Sequence, residues 1–458
     1  MQRYIQILLI ILSVFIFAGQ ALADISNSGE QAYSSEALES IQVLDQETAQ
    51  KIAIADNPSL AAARDRVRQA KERVIQARSA YLPRMDASAS ASRIWLSDKE
   101  ADVPGSPDSP EDYYGLGLTG TWVLFDGFER EFKNAIARYS EKEFQESEKD
   151  ARRLLLSSVT NAYFNAQLAS ENIAIAEADE AFNQQQAKEA RIRREVGTGA
   201  LSDVLNFKVQ VNAAKSSLLE AKREYEAAMI GLAALMGVRD AAFPPDLKLA
   251  QMKTETSEEL AVPEPDPLIA YALEHRPDIL MTGYALKQAV SQIDLAMSDF
   301  YPDISLSGSF EGNRSNSVVF EGEDFGSKIG LSITYNIFDG GSKRSRLREA
   351  SAGRDEKEKN YRNMETTVIS EVRDSVARLK SARDQLALQR SNADLVQQNR
   401  DLVQKGYSAG QESLVRLNEA QRDLIKAKGS LALALVSLRQ AWYNLKTSTA
   451  ENIASFAD

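Results

Sequence analysis

Very little in this chain of 458 residues is equipped for covalent chemistry. Cysteine is absent and there is a single histidine, His275, so thiolate nucleophiles, disulfides and thiolate metal sites drop out together. One imidazole without partners is also too little for a zinc site. His275 precedes Arg276-Pro277 at the end of a helical stretch, where a solvated or backbone-bonded ring is expected. Phe338-Asp-Gly-Gly341 has the look of a phosphate or metal loop. Phe125-Asp-Gly127 repeats it in front of another long helical sequence, which marks both as strand-to-helix turns. The acids that follow Ser97 and Asn313 lack the ligand spacing of a calcium loop and read as solvated loops. No nucleophile stands beside a base at a recognisable spacing, so neither an enzyme nor a cofactor or metal protein is expected.

The composition suits a polar-surfaced chain with room for a large core: 43% of residues are hydrophobic and 26% charged. A formal net charge of -12 disfavours nucleic acid as a partner. Residues 1–23 differ from the rest. Arg3, the apolar run from Ile5 to Phe17 and the small-x-small site Ala21-Leu22-Ala23 form the pattern of a secretory signal peptide, with a mature start at Asp24. Without cysteine there is no lipid-anchoring residue. Beyond Ala23 no segment approaches the ~18 apolar residues of a spanning helix, which leaves strands or surface contact for any membrane role.

What the chain does carry is a repeat. Asn57-Pro58 opens a helical stretch that ends at Tyr81-Leu82-Pro83, and Arg276-Pro277 opens another that ends at Phe300-Tyr301-Pro302. Trp122-Val-Leu-Phe-Asp-Gly127 recurs as Tyr335-Asn-Ile-Phe-Asp-Gly340, and Gly197 recurs as Gly410. Two homologous halves are expected, residues 45–238 and 266–450. A leader (1–23) and a linker (24–44) precede them, a proline-rich connector (239–265) joins them, and a tail (451–458) follows.

Each half reads as helix, strand, loop, strand, very long helix, glycine break and returning helix. Strands are expected near 84–96, 115–126, 303–312 and 328–339, where apolar residues alternate with Gly, Ser and Thr. Period-two alternation suits a sheet with water on one side and something apolar on the other. Four strands cannot close a barrel, which takes about eight, and left open they expose two edges, so an oligomer is expected. Trp95, Trp122, Phe125, Tyr335 and Phe338 gather at strand ends in the manner of a membrane-interface girdle, although ordinary sheet packing also places aromatics there.

From Phe128 to Val196 there is neither glycine nor proline, enough for a helix of roughly 100 Å at ~1.5 Å per residue. It stops at Gly197-Thr-Gly199, and its counterpart stops at Gly406 and Gly410. Glycines at positive φ would end one helix while Ser202 and Ser413 cap the next, giving hairpin tips at 196–203 and 406–413. The returning helices carry large residues every seven positions, Val204, Val211, Leu218, Tyr225 and Leu232, then Leu417, Leu424, Leu431, Leu438 and Leu445. Small residues such as Ala214, Ala221, Ala420 and Ala427 follow three positions later, which describes a closely packed coiled-coil seam.

In their order and duplication, NPSLAAARDRVRQAKERVIQARSAYLPRMDASAS, the two FDG turns, VGTGALSDVLNFKVQV and KGYSAGQESLVRLNEAQRDL make the chain resemble the TolC family of outer-membrane export ducts. The resemblance covers nearly the whole mature length. It implies a mainly α protein with a β-barrel part, each half supplying two transmembrane strands and a coiled-coil hairpin. It further implies a homotrimer with one twelve-stranded barrel among the lipids of a Gram-negative outer membrane, continued by a periplasmic α-helical barrel. Such a duct is passive and serves type I protein secretion or multidrug efflux. Its implied partners are a periplasmic adaptor (membrane fusion) protein and an inner-membrane ABC or RND-type transporter.

The resemblance also implies a closable tip. Asp203 and Tyr407 align with a carboxylate and a tyrosine that tie neighbouring hairpins, and Arg416 and Glu419 fall on acidic constriction-ring positions. Arginine at one of them removes the purely acidic character of the ring. Glu412 stands where some relatives carry a basic latch residue, so a bond from Arg416 to Asp203 would replace that latch. Asp203 and Tyr407 equally fit a helix N-terminal acid and a packed aromatic. The competing functional class is a periplasmic coiled-coil adaptor or scaffold, which should not duplicate a loop-bearing set of strands.

Overall fold

The computed structural model describes residues 41–97 and 110–456. The leader, most of the linker, the bulk of the first acidic loop and the last two residues lie outside the described residues. The chain enters through β1 (Val43–Leu44) and α1 (Gln46–Asp56), which Asp45 caps by accepting from the Thr48 N–H at 2.8 Å. Asn57 ends α1 and starts α2 (Pro58–Ser79): its side chain accepts from the N–H groups of Ser59 and Leu60, and Pro58 occupies a first-turn position that needs no donor. There follow β2 (Arg84–Ile94), β3 (Glu111–Asp126), α3 (Glu129–Glu195, 67 residues) and α4 (Leu201–Leu235, 35 residues).

The connector holds β4 (Lys248–Leu249), paired parallel to β1, and a single-turn helix, α5 (Ser257–Leu260), closed by a Thr256–Glu259 capping box. Then come α6 (Pro265–His275) and α7 (Pro277–Ser298), β5 (Asp303–Ser315), β6 (Phe325–Thr334), α8 (Ser342–Ser408, 67 residues) and α9 (Leu414–Thr449, 36 residues). Long helices of 67 residues extend about 100 Å, so the returning helices cover only their distal parts.

The four long strands form one antiparallel sheet in the order β2-β3-β5-β6. Its register sorts the side chains. Met85, Ala87, Ala89 and Ala91 stand beside Gly120, Leu118, Leu116 and Tyr114, and this side continues through Leu306 and Phe310 to Ile329, Leu331 and Ile333. The opposite side holds Asp86, Ser88 and Ser90, then Thr119 and Thr121, then Ser305, Ser307 and Ser309, then Lys328 and Ser332. The apolar side is uncovered, with Ile329 at 79% exposure and Leu331 at 62%.

Several strand boundaries depart from the sequence expectation, most of all the start of β3 and the end of β6. β3 starts at Glu111, because Ser92 to Ile94 and Ser315 give it neighbours further out than the alternating pattern reaches. β6 stops at Thr334, well short of 339, because its partner β5 begins at Asp303, directly opposite Thr334, and nothing beyond pairs with it. Trp95, Tyr335 and Phe338 therefore lie just outside strands.

The helices pack as two hairpins, α3 with α4 and α8 with α9, joined where α3 meets α9. Helix α7 lies between α3 and α8, whereas its counterpart α2 packs mainly on α3. The main core, where β1, α1 and the connector meet the helices, gathers Leu44, Ile52, Val159, Phe164, Leu232 and Met236. Along α9 the large positions Leu417, Leu424, Leu438 and Leu445 are buried together with Ala420 and Ala427. On α4 only the small positions Ala214 and Ala221 and the two ends of the series are buried, while Val211, Leu218 and Tyr225 stay half-buried. The difference has a plain cause: over its length α9 packs on both α8 and α3, whereas along its middle α4 packs mainly on α3.

Candidate functional site

At the far end of the hairpins the two turns use their glycines differently. Gly197 has φ 80° and ends α3 with its N–H donating to the Arg194 carbonyl. Gly199 is not in the left-handed region. It is needed for close approach, since a Cβ there would lie 2.9 Å from Arg193 Cβ and 3.0 Å from Arg194 N. In the second turn Gly410 is left-handed at φ 75°, while Gly406 sits inside α8 with the Glu412 side chain folded over it, a Cβ there meeting Glu412 Cγ at 2.6 Å. The caps differ too. Ser413 accepts from the Arg416 N–H at 3.2 Å, but α4 starts from Ala200 without a side-chain cap, and Ser202, the expected cap, already lies within the helix.

Between the turns lies a small apolar core of Ala190, Val204, Phe207, Val403, Tyr407, Leu417 and Ala420. Tyr407, 8% exposed, places its ring edge-on to Phe207 at 6.2 Å, and the Arg193 guanidinium lies 5.1 Å from its centroid. Burial pushes the Tyr407 phenol above its usual range, and the nearby charge of Asp203 adds to this. Asp203 stands in the first turn of α4, where an acid complements the helix dipole. Arg416 does not reach it within the chain: its Nε lies 3.5 Å from Glu412 Oε2, a pair one turn apart and open to solvent. Glu419 is exposed. The expected Arg416–Asp203 bond is thus absent from a single copy, because the local partner is nearer.

Sequence reasoning missed the residues that hold the hairpins to each other. Asn418 Nδ2 donates to Asn206 Oδ1 at 2.9 Å and Gln421 Nε2 donates to Asp179 Oδ1 at 2.7 Å, with Asn183, one turn along α3, also donating to Asp179 within that helix. The Arg400 guanidinium also lies 5.3 Å from the Phe182 ring, across from α8 to α3. The only available signal was amides recurring on helices otherwise rich in charge, a pattern equally common on solvated faces.

At the opposite end, where helices meet sheet, Phe125, Phe128 and Tyr301 pack edge to face with centroids 5.5 to 6.5 Å apart. Trp122 Nε1 donates to the Tyr81 carbonyl at 3.1 Å, and Lys343 sits 5.7 Å from the Tyr335 ring. Tyr335 and Phe338 are 57% and 87% exposed at this end, and Trp95 is 69% exposed at the other. Arg130 stitches the turn together, 2.8 Å from Asp126 and donating to the Val123 carbonyl at 2.7 Å. Among the described residues no helix is long and apolar enough to cross a membrane, and no His, Cys, Asp and Glu group is placed to hold a metal. His275 is stacked on Tyr271 with Nδ1 3.0 Å from that residue's carbonyl.

A sheet with one bare apolar side and one polar side, unpaired at both edges among the described residues and mounted on helices about 100 Å long, defines an outer-membrane channel with a periplasmic extension. The family described as outer membrane efflux protein matches residues 50–238 and 268–451, and the chain belongs to it. It is 27% identical to the cation efflux system protein CusC of Escherichia coli K12 over 315 residues, 66% of this chain and 67% of that one. It is 26% identical over 412 residues to the outer membrane protein TolC of Vibrio cholerae, covering 84% of this chain and 86% of the relative. The Campylobacter jejuni CmeC outer membrane channel has the same fold, with a TM-score of 0.77 at 19% identity over 94% of this chain and 92% of that structure. Members are homotrimeric outer-membrane proteins of Gram-negative bacteria that extend into the periplasm and work with efflux-pump systems; they are channels and not enzymes.

Proposed function

We propose that three copies form a passive duct whose resting state is set at the helical tips, and that an inner-membrane ABC or RND-type transporter engages it through a periplasmic adaptor. The observation that carries this reading is the two-sided sheet at one end of the same helices whose other end is a small, tightly packed turn. In this reading residues 45–238 and 266–450 act as equivalent halves joined by 239–265, and Trp95, Trp122, Phe125, Tyr335 and Phe338 sit at the two membrane interfaces.

Asp203, Tyr407 and Glu412 form the latch, and Arg416 and Glu419 line the constriction. Asp203 and Arg416 occupy corresponding places, each third in its returning helix, so three copies would alternate these opposite charges around the axis. Such a ring closes by attraction and lacks the strong cation preference of an all-acid one. The cargo is a small molecule or a secreted protein admitted by the pump. Conductance of the purified trimer in a planar bilayer tests the reading: a small steady current that rises in Arg416→Ala and Asp203→Ala supports it. A well-folded trimer that conducts equally with and without these charges would sink the tip assignment.

A further inference from the structure

The loop between β5 and β6, residues 316–324, is folded onto one side of the sheet. Asn316 turns the chain out of β5 at φ 58°, a left-handed conformation that asparagine tolerates. It stays clasped to the neighbouring strand: its N–H donates to the Asp112 carbonyl at 2.7 Å, and its Oδ1 accepts from the Asp112 N–H at 3.1 Å. Ser317, Val318, Val319 and Phe320 follow, and a single 3₁₀ turn, Gly322–Asp324, returns the chain to β6.

Strand alternation tells which side the loop has taken. Phe310, Gly312 and Arg314 are alternate residues of β5, so all three share the apolar side with Leu306. Gly312 pairs with Phe325 of β6, and a Cβ on that glycine would lie 2.6 Å from the Phe325 ring, which therefore covers it on the same side. The ring stacks on Phe310 with centroids 5.1 Å apart, and Phe320 packs on it in turn at 5.6 Å. Further out, Arg314 donates from Nη1 to Asp324 Oδ2 at 2.9 Å and from Nη2 to Glu321 Oε1 at 3.2 Å. Asp324 also accepts from the Glu321 N–H at 2.6 Å. Both anchors of the loop, one aromatic and one ionic, thus lie on the apolar side, away from Ser307, Ser309 and Lys328.

We infer that this loop is an outward-folded flap that seats Val318, Val319 and Phe320 among the acyl chains nearest the headgroups of the outer leaflet and leaves the channel mouth free of it. This rests on the channel reading above and goes beyond it by assigning a lipid contact to a loop. The flap continues the lipid-facing side of the sheet without a break, from Phe310 through Phe325 to Phe320. At its tip two adjacent valines are bare, Val318 at 68% exposure and Val319 at 47%. Measured from Phe125 and Ile304 to Gly312, the apolar side rises only about 20 Å for strands tilted by ~40°, short of the ~25 Å band of outer-membrane barrels. The flap supplies the missing upper part. Arg314 spends its charge on the flap's own acids, so the flap meets lipid through apolar residues and not as a phosphate-binding cation.

The absence of cysteine lets single probes be placed directly. Full-length trimer carrying Val318→Cys, labelled with bimane and reconstituted into phosphatidylcholine vesicles, is exposed to lipid bearing a nitroxide near the headgroup end of its acyl chain. Its fluorescence should be quenched severalfold more than that of the same probe at Ser309→Cys, on the polar side. Ile329→Cys, on the apolar side of the sheet, reports insertion and should be quenched by a nitroxide placed deeper. Arg314→Ala removes the ionic anchor and should lower quenching at Val318→Cys severalfold, with quenching at Ile329→Cys and single-channel conductance unchanged. Quenching at Val318→Cys no greater than at Ser309→Cys, while Ile329→Cys is quenched, overturns the flap and leaves the channel reading standing. A conductance that changes in Arg314→Ala does the same, because a loop that alters the current lies over the mouth. No quenching at Ile329→Cys overturns the channel reading and the flap with it.

Discussion

Asn57 and Arg276 hold the same place in the two halves and secure the same point by different chemistry. Asn57 Nδ2 donates to the Leu235 carbonyl at 2.9 Å, at the end of α4, and Arg276 Nη1 donates to the Ser448 carbonyl at 3.0 Å, at the end of α9. Each sits at the start of a proline-led helix and bonds the last carbonyls of a returning one, where free acceptors and the negative end of the dipole favour a donor. The arginine is 2% exposed and fully engaged: Asp278 accepts from Nε and Nη2 at 3.0 and 2.6 Å, and Glu371 accepts from Nη1 at 2.7 Å. Arg153 adds a second guanidinium, donating to the Thr447 carbonyl at 2.9 Å.

Removing these two donors should have unequal effects. Arg276→Ala leaves Asp278 with the Arg153 guanidinium at 3.6 Å as its only charged partner and should cost about 3–5 kcal/mol, as for other broken buried pairs. Asn57→Ala removes a neutral cap and should cost about 1–2 kcal/mol. Thermal unfolding followed by helical circular dichroism ranks them; equal losses would mean that the charged cluster adds nothing beyond a cap.

Acid should loosen the second anchor before the first. Burial by itself would raise the Asp278 carboxyl, but the Arg276 and Arg153 guanidinium groups outweigh it and hold that carboxyl below its usual value. Its stabilising contribution is therefore complete above the unfolded carboxylate pKa of about 4 and is lost as pH falls through the lower folded value. Asp278→Asn should be less stable than wild type at neutral pH, with a Tm that changes less between pH 5 and 2. Parallel Tm profiles for the two would refute this.

Tyr163 works in the opposite direction. Burial pushes its phenol up to about 12, and its hydroxyl donates to the Leu44 carbonyl at 3.2 Å. A raised folded pKa means stability that is complete below the unfolded value of about 10 and is lost as pH rises past it. Tyr163→Phe should remove this alkaline dependence, which unfolding midpoints from pH 8 to 11 would register.

Gly237 and Ala450 pose a matched test of backbone strain. Both are left-handed, at φ 79° and 66°, two residues past the anchored carbonyls. A Cβ on Gly237 would meet the Asp56 carbonyl oxygen at 2.5 Å, so Gly237→Ala should cost about 3 kcal/mol or more, clash added to strain. Ala450→Gly should change stability by less than about 1 kcal/mol, because release of strain offsets added freedom in the unfolded chain.

The two sides of the sheet should respond oppositely to charge. Leu331→Arg puts a cation on the apolar side and should destabilise the protein by about 2–4 kcal/mol and reduce membrane-inserted trimer. Ser332→Arg, the next residue, should leave trimer yield near wild type and change conductance. Loss of trimer from both would contradict the assignment of sides.

At the tip, Tyr407→Ala removes the ring that packs on Phe207 and beneath Arg193 and should raise resting conductance severalfold, consistent with ~3 kcal/mol for an emptied aromatic site. Tyr407→Phe keeps the ring and should leak less than the alanine variant. Equal leaks would place the latch in the hydroxyl.

Features written in short stretches of sequence were legible before any coordinates. Alternation in Ile304 to Phe310 sets which residues share a side, because successive strand residues point opposite ways. The glycine-free run before Gly197 sets a long helix, and the seven-residue spacing from Leu417 to Leu445 sets its buried stripe. Each depends on neighbours within a few residues.

Tertiary structure alone decided the strand order, the end of β6 at Thr334, the pairing of Arg416 with Glu412, the Asn206–Asn418 and Asp179–Gln421 bonds and the burial of Arg276. The partners of these groups, apart from the nearby Glu412, lie far along the chain, and the repeat itself is silent about them. Asn57 and Arg276 correspond in place, yet one bonds backbone groups and the other joins a cluster in which Asp278 is near in sequence while Glu371 and Arg153 are brought in by packing. Local periodicity fixes directions of side chains; which charges and carbonyls they then find depends on contacts across hundreds of residues.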